Sequence, residues 1–414
     1  MAWWENRFLN IRRGKLYLGD RPATAIAEEF GTPLLVYGRE QILANFRKLV
    51  ESFAGRADTD VHICHAMKAN PDRRILRILK AAGARIDAVS PGEAREALAA
   101  GFPAGKILFT GTSAGADDMR AAFAVDGLTV TIDALEQIDL MKRVRDRWFR
   151  DKKIRVCLRW NPGIGLGFNP KAITAGNRSS DGTPIKFGIE EAKVLEAFDR
   201  AAKAGFVPVG LHQHLGSGWL REDFSMAARA VDRMIGMAVQ LAGLGYALEF
   251  LDFGGGFGPR YTKDQHPFPI DRYAAHICRQ VERSGLRPKF IFVEPGKFLV
   301  ADAGVLLLRV EYVKESYGNV FACVNGGTFN TLPRPAIYAQ AQHQVLHCSR
   351  VDGRPKDQIT IAGNLCETGD VFAKEIPLPR PKSGDILAVL HAGAYARSMA
   401  SNFNLRPIAR EIVI

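Results

Sequence analysis

Over the first 300 residues, short β-branched runs alternate with longer amphipathic stretches. The runs predict strands at Val61–Ala69, Arg85–Ser90, Ile107–Gly111, Thr129–Asp133, Arg155–Asn161, Pro208–Gly216, Leu248–Gly256 and Lys289–Gly296. Helical patterns lie between them at Pro71–Ala82, Gly92–Ala100, Ala134–Arg150, Glu190–Ala204 and Phe224–Leu244. Repeated strand and helix imply a parallel sheet, and eight strands is the number of a (β/α)8 barrel. After residue 297 the pattern changes. Leu306–Val313, Val320–Val324, Gln358–Ala362 and Asp385–Val389 predict strands without long helices between them, hence a mostly antiparallel β domain. Lys15–Leu18 and Pro33–Tyr37 also read as strand and are expected to join it. The expected division is an N-terminal segment 1–36, a barrel 37–296 and a β domain 297–414.

Composition narrows the class. With 414 residues and 47% apolar content, the chain can bury a large core in two domains. The net charge of +12 raises the question of a nucleic-acid surface. Acids interrupt the basic runs, as in Asp146–Arg155, and no nucleic-acid-binding motif occurs, so no nucleic-acid partner is expected. The six cysteines form no CxxC pair, which argues against a zinc or dithiol motif and suits a reducing compartment. There is no signal-peptide pattern at the N-terminus and no apolar run of membrane-spanning length. The expectation is a cytoplasmic protein with no membrane partner.

The candidate chemistry gathers at the predicted strand ends, where a barrel carries its active face. Lys68 ends the first strand. A desolvated lysine there can form a Schiff base, whereas the plainer reading is a lysine that snorkels to solvent. Gly254-Gly-Gly256 follows the seventh strand and can wrap a phosphate or simply turn the chain, and no P-loop Lys-Ser/Thr follows it. Glu294 ends the eighth strand, placed to pair with a protonated ring nitrogen or to cap the next helix. His212 and His214 share one strand face. With no ligand-type neighbour at the right spacing, a stacked or simply hydrogen-bonded histidine is expected rather than a metal site. Cys366 is a candidate proton donor or a small buried apolar residue.

In order along the chain, His65-Ala-Met-Lys-Ala-Asn70, Asp87-Ala-Val-Ser-Pro-Gly-Glu93, His212-Gln-His-Leu-Gly-Ser217, Gly254–Gly256, Glu294-Pro-Gly296, Arg334-Pro-Ala-Ile-Tyr338, Cys366-Glu-Thr-Gly-Asp370 and Gly393-Ala-Tyr395 through Asn404 resemble the motifs of the fold-type III pyridoxal-phosphate decarboxylases. The resemblance spans nearly the whole chain. It implies that Lys68 holds pyridoxal 5'-phosphate as a Schiff base and that His214 stacks on its ring. Ser217, Gly255, Gly256 and Gly296 would contact its phosphate, and Glu294 its pyridine nitrogen. Lys297, Arg334, Tyr338, Glu367 and Tyr395 are implied in substrate contacts, Tyr395 also in cofactor contacts. Cys366 and Glu367 are implied to serve the active site of a second copy, hence a homodimer with shared sites. The implied reaction is decarboxylation of an amino acid, with meso-diaminopimelate giving L-lysine as the leading case. The proton returns from Lys68 or Cys366. Related diamino acids such as D-ornithine or D-lysine, carboxynorspermidine or an amino-acid conjugate are alternatives, ahead of a racemase or a non-enzymatic cofactor carrier. Lys297 stands where the family usually has Arg, and Lys offers a point charge in place of a bidentate fork. His65, Gly218 and Asn325–Asn330 also depart from the family pattern.

Overall fold

The computed structural model describes residues 2–56, 58–338, 340–355 and 357–414. The chain divides into two compact units. One comprises Phe46–Gly258 and His266–Gly296; the other comprises the residues up to Asn45, Pro259–Gln265 and Lys297–Ile414.

The first unit is a closed barrel of eight parallel strands. In chain order they are Asp60–Ala66, Arg85–Ala88, Ile107–Phe109, Thr129–Ile132, Arg155–Asn161, Val207–His212, Phe250–Asp252 and Phe290–Val293. Each pairs with the next, and the eighth pairs with the first through Val293 and Ile63. Cys64, Leu108, Cys157, Val209, Phe250 and Phe292 fill the interior. The Phe250 and Phe292 rings stack with centroids 4.7 Å apart. Gly210 has to be glycine, because a Cβ there would sit 2.3 Å from the Phe250 ring. This apolar plug closes the interior and leaves chemistry to the loops at the strands' C-terminal ends.

Those loops begin earlier than the apolar runs suggest. Sequence expects the sixth, seventh and eighth strands to continue to Gly216, Gly256 and Gly296, but they end at His212, Asp252 and Val293. After the seventh strand the reason is glycine chemistry. Gly254 and Gly256 adopt φ of +67° and +119°, which ends the extended backbone. Likewise the first strand stops at Ala66, and Met67–Ala69 forms a 3-10 turn carrying Lys68. The helices start on side-chain caps. Asp72 accepts from the Arg74 amide ahead of Arg73–Ala81, and Ser90 accepts from the Glu93 amide ahead of Pro91–Ala99.

The second unit is built on the long strand Gly304–Ser316. It pairs antiparallel with Leu34–Tyr37, Ile386–Leu390 and Asn319–Val324. Leu34–Tyr37 also pairs, in parallel, with Arg410–Val413. All four of its residues are buried, at about 1.5–3 kcal/mol per aliphatic side chain. Pro33–Tyr37 thus joins the β domain as its sequence suggests. Lys15–Leu18 does not join that sheet. It lies in a separate three-stranded sheet with Leu9–Arg12 and Arg21–Pro22, and packs on a core that includes Trp4, Phe8, Leu34, Val305 and Leu390. Among the described residues, no helix is long and apolar enough to cross a membrane.

Candidate active site

In the barrel unit, ionisable groups meet at the ends of neighbouring strands. Lys68 Nζ donates to Asp87 Oδ2 at 2.9 Å. Lys68 is one-third exposed, while Asp87 at the end of the second strand is fully buried. Asp87 also accepts from the Thr110 hydroxyl. Burial and the nearby Glu294 raise the Asp87 carboxyl above the usual range, against the pull of Lys68. The lysine is thus held by an acid at the rim rather than trailing in solvent.

Glu294 follows the eighth strand, the direct neighbour of the first. It is 2% exposed, and its Oε2 lies 3.1 Å from His212 Nε2. Burial alone would raise its pKa, but the His212 ring and the Lys68 charge outweigh burial and hold it at about 2. Oε1 is buried and has no protein hydrogen-bond partner. An ionised carboxylate therefore keeps one acceptor oxygen open inside a dry barrel, an arrangement that calls for a donor.

His214 Nδ1 accepts from the Gly255 amide at 3.1 Å, which leaves the second ring nitrogen as the N–H of a neutral ring. Burial, then the Lys68 charge, lower its pKa well below the usual histidine value. The Gly254 amide donates to Asp252 Oδ1 at 2.9 Å. The amides of Gly254 and Gly255 are thus engaged within the protein. A Cβ on Gly255 would lie 2.0 Å from the Glu294 carbonyl oxygen, and one on Gly296 would lie 2.9 Å from Ala69. The glycines let three strand-end loops close together. Ser217 is partly exposed beside them.

Sequence reasoning missed Asp252 and Arg159, and named Asp87 only as the head of a motif, without a role. Arg159 lies within the fifth strand, two residues before its end, is 7% exposed, and sits over the Phe187 ring at 4.7 Å. Burial lowers its pKa, and Asp133, Glu294 and Asp87 oppose that shift. Each is a charged residue flanked on both sides by apolar ones at a barrel strand, and that is the signal that could have found them.

The β unit gathers cations. Lys297 opens the short helix Lys297–Val300 and is 4% exposed, with its Nζ 5.7 Å from the centre of the Tyr395 ring. Burial, then Arg334, push its pKa well below the usual lysine value. Arg334 is 2% exposed and lies over the Tyr261 ring at 4.4 Å. Its Nη1 donates to His343 Nε2 at 2.8 Å, and His343 Nδ1 donates to the Leu390 carbonyl at 2.8 Å. This chain of bonds fixes the His343 tautomer and holds the guanidinium. Tyr338 is half-buried one turn on, and its phenol pKa is raised by burial. A cavity of about 680 Å3 opens against Tyr261, His343, Pro335 and Phe372, and none of the barrel residues above line it.

Cys366 and Glu367 are exposed. The loop beneath them is anchored by buried Asp370, which accepts from the Thr328 amide and hydroxyl and the Leu365 amide at 2.6–2.8 Å. The Cys366 amide donates to Asn404 Oδ1, beside exposed Phe403 and Leu405.

A parallel barrel with a rim lysine held by an acid, a glycine turn and a buried ionised glutamate defines the class. The chain belongs to the pyridoxal-dependent decarboxylase family, whose pyridoxal binding domain matches residues 39–301. It is 38% identical to a diaminopimelate decarboxylase of Methanothermobacter thermautotrophicus, over 97% of this chain and 91% of that protein. It is 36% identical to the diaminopimelate decarboxylase of Pseudomonas aeruginosa, over 98% of this chain and 93% of the relative. The fold is similar to the crystal structure of M. jannaschii diaminopimelate decarboxylase in complex with L-lysine, with a TM-score of 0.89 and 29% identity, covering 99% of this chain and 93% of that one.

Proposed function

We propose that this protein decarboxylates meso-diaminopimelate to L-lysine in the cytoplasm, as a homodimer with shared active sites. The observation that carries the reading is the placement of Lys68 and Glu294 at adjacent strand ends, one a rim amine held by Asp87 and the other an ionised carboxylate with an open oxygen. These residues fit pyridoxal phosphate. Lys68 would hold it covalently, Glu294 Oε1 would accept from its pyridine nitrogen, and the neutral His214 ring would lie on its face. The phosphate would lie against Ser217, Gly255, Gly256 and Gly296, whose positions admit no bulk. Bound pyridoxal phosphate supplies an electron sink for the pair left behind when carbon dioxide departs.

The chain's own residues do the rest. Glu294 stays ionised through the working pH range and remains an acceptor. Asp87 steers the Lys68 amine and accepts its proton load. Lys297 and Arg334 would take a substrate carboxylate, with Tyr338 and Tyr395 beside it and Glu367 near the substrate amine. Arg334 is pre-set by His343, so little ordering cost falls on binding. Lys297 contributes a compact charge in place of a fork, so carboxylate recognition leans on Arg334. Lys68 Nζ or the Cys366 thiol returns the proton to carbon. Cys366 and Glu367 face solvent in the single chain, which suits service to a second copy.

Purified protein with pyridoxal phosphate is expected to release carbon dioxide and L-lysine from meso-diaminopimelate faster than from D-ornithine, D-lysine or carboxynorspermidine. Faster turnover of another of these would reassign the substrate, and chiral analysis revealing only racemised starting material would sink decarboxylation. Mixing Lys68→Ala with Cys366→Ala protein tests the shared site. Random pairing should restore about a quarter of wild-type activity per site, and no recovery after verified subunit exchange would refute sharing.

A further inference from the structure

Asp252 is the most deeply buried acid that the reaction above does not use. It ends the seventh barrel strand with no exposed surface. Its carboxyl, that of Glu294 and the His212 ring present atoms that all lie within 4.8 Å of one another. Asp252 Oδ1 is taken by the Gly254 amide. Its Oδ2 has no protein donor, and neither has Glu294 Oε1. Two carboxylates facing each other in a dry interior repel unless a proton lies between them. One proton on Asp252 Oδ2 gives both orphaned oxygens a partner, and the second lone pair of Glu294 Oε1 stays open to a cofactor donor.

We propose that Asp252 holds a proton on Oδ2 and donates it to Glu294, making Asp252 a positioning residue for the cofactor-facing carboxylate. The surroundings decide which acid keeps the proton. Glu294 faces His212 and Lys68, which favour its ionised form. Asp252 faces Glu294 and Asp87, and its pKa is raised by burial and then by Glu294. The thiols of Cys64 and Cys157 lie on the same side, and both stay protonated through burial. Arg85 is the cation facing Asp252 from the second strand, and its guanidinium also lies over the Phe292 ring at 4.8 Å. Glu294 is then fixed by two protein partners, His212 and Asp252, and cannot swing away from a ring nitrogen.

The inference rests on Glu294 being the partner of the cofactor ring, and its test separates the two ideas. Infrared spectra of the holoenzyme at neutral pH are expected to contain a protonated-carboxyl stretch that shifts in D2O and disappears in Asp252→Asn. The asparagine amide can still donate to Glu294, so cofactor absorbance and turnover in that variant should stay within about threefold of wild type. Asp252→Ala removes the donor and should weaken cofactor retention about tenfold. The idea is overturned if wild type lacks the band, if the band survives in Asp252→Asn, or if metal analysis finds a stoichiometric divalent cation among His212, Asp252 and Glu294. Wild-type protein that binds no pyridoxal phosphate would sink the cofactor assignment instead, and its infrared band would still report where the proton lies.

Discussion

The two units bury different sets of charge. The barrel encloses the acids Asp87, Asp252 and Glu294 around Lys68 and Arg159. The β unit encloses Lys297 and Arg334 beside the neutral rings of His343 and His391, with the acid Asp370 beneath a separate loop. Each set complements one part of the proposed reaction. The acids favour a protonated ring and a positively charged amine, and the cations favour a carboxylate. In the barrel, charge is balanced inside the protein by short bonds such as Lys68 to Asp87. In the β unit, two cations raise each other's cost of burial, and a bound anion would relieve it. Both units are preorganised, the barrel by the ion pair of Lys68 with Asp87 and the β unit by the bond from Arg334 to His343.

Breaking the barrel set should have the largest effect. Lys68→Ala is expected to abolish the visible absorbance of bound cofactor and to lower turnover by about 10^3-fold or more. Absorbance spectra and single-turnover assays read both, and a variant that keeps the wild-type absorption band would refute the lysine's role. Breaking the cationic set should act mainly on binding. Arg334→Met is expected to raise KM about 10- to 100-fold with a smaller change in kcat, the loss of a charge-assisted contact. Lys297→Met should do the same more weakly, and steady-state kinetics with meso-diaminopimelate separate the two. A fall in kcat alone would contradict assignment of this set to ground-state binding.

The smallest effect concerns stability. Burial, then Arg334, lower the His391 pKa from 6.5 to about 4. Its contribution is therefore full above pH ~6.5 and is lost as pH falls toward 4, because the unfolded chain takes a proton that the folded one refuses. The loss is at most on the order of 3 kcal/mol. In the barrel, burial likewise lowers the His65 pKa to about 4. His391→Gln and His65→Gln should each flatten the fall in denaturant midpoint between pH 7 and 5. The variant with the larger change identifies the unit that opens first in acid, and a slope unchanged in both would show that neither histidine governs it.

Much of the barrel could be read from sequence because β-branched runs and amphipathic helices differ in period. The strand ends were harder, since Gly254 and Gly256 look like any glycines until φ is known. Lys68, His214 and Glu294 were legible as strand-end residues in ordered motifs. Asp87 had a place in a motif but no role, and Asp252 had neither, because a single acid in a run such as Leu248–Phe253 does not say which face it takes. His343 and His391 were invisible for a different reason. Their partner Arg334 and the Tyr261 ring are brought to them only by the folded β unit.

Leu34–Tyr37 lies between Gly304–Ser316 and Arg410–Val413. On the ribosome this strand has no sheet to enter until the whole barrel has been made, and its second neighbour is made later still than the first. Its apolar, hydrogen-bond-hungry edge must be shielded through that interval, so synthesis without chaperones should lose protein to aggregation at this step. Removal of Arg410–Val413 would leave that edge open in the folded molecule as well.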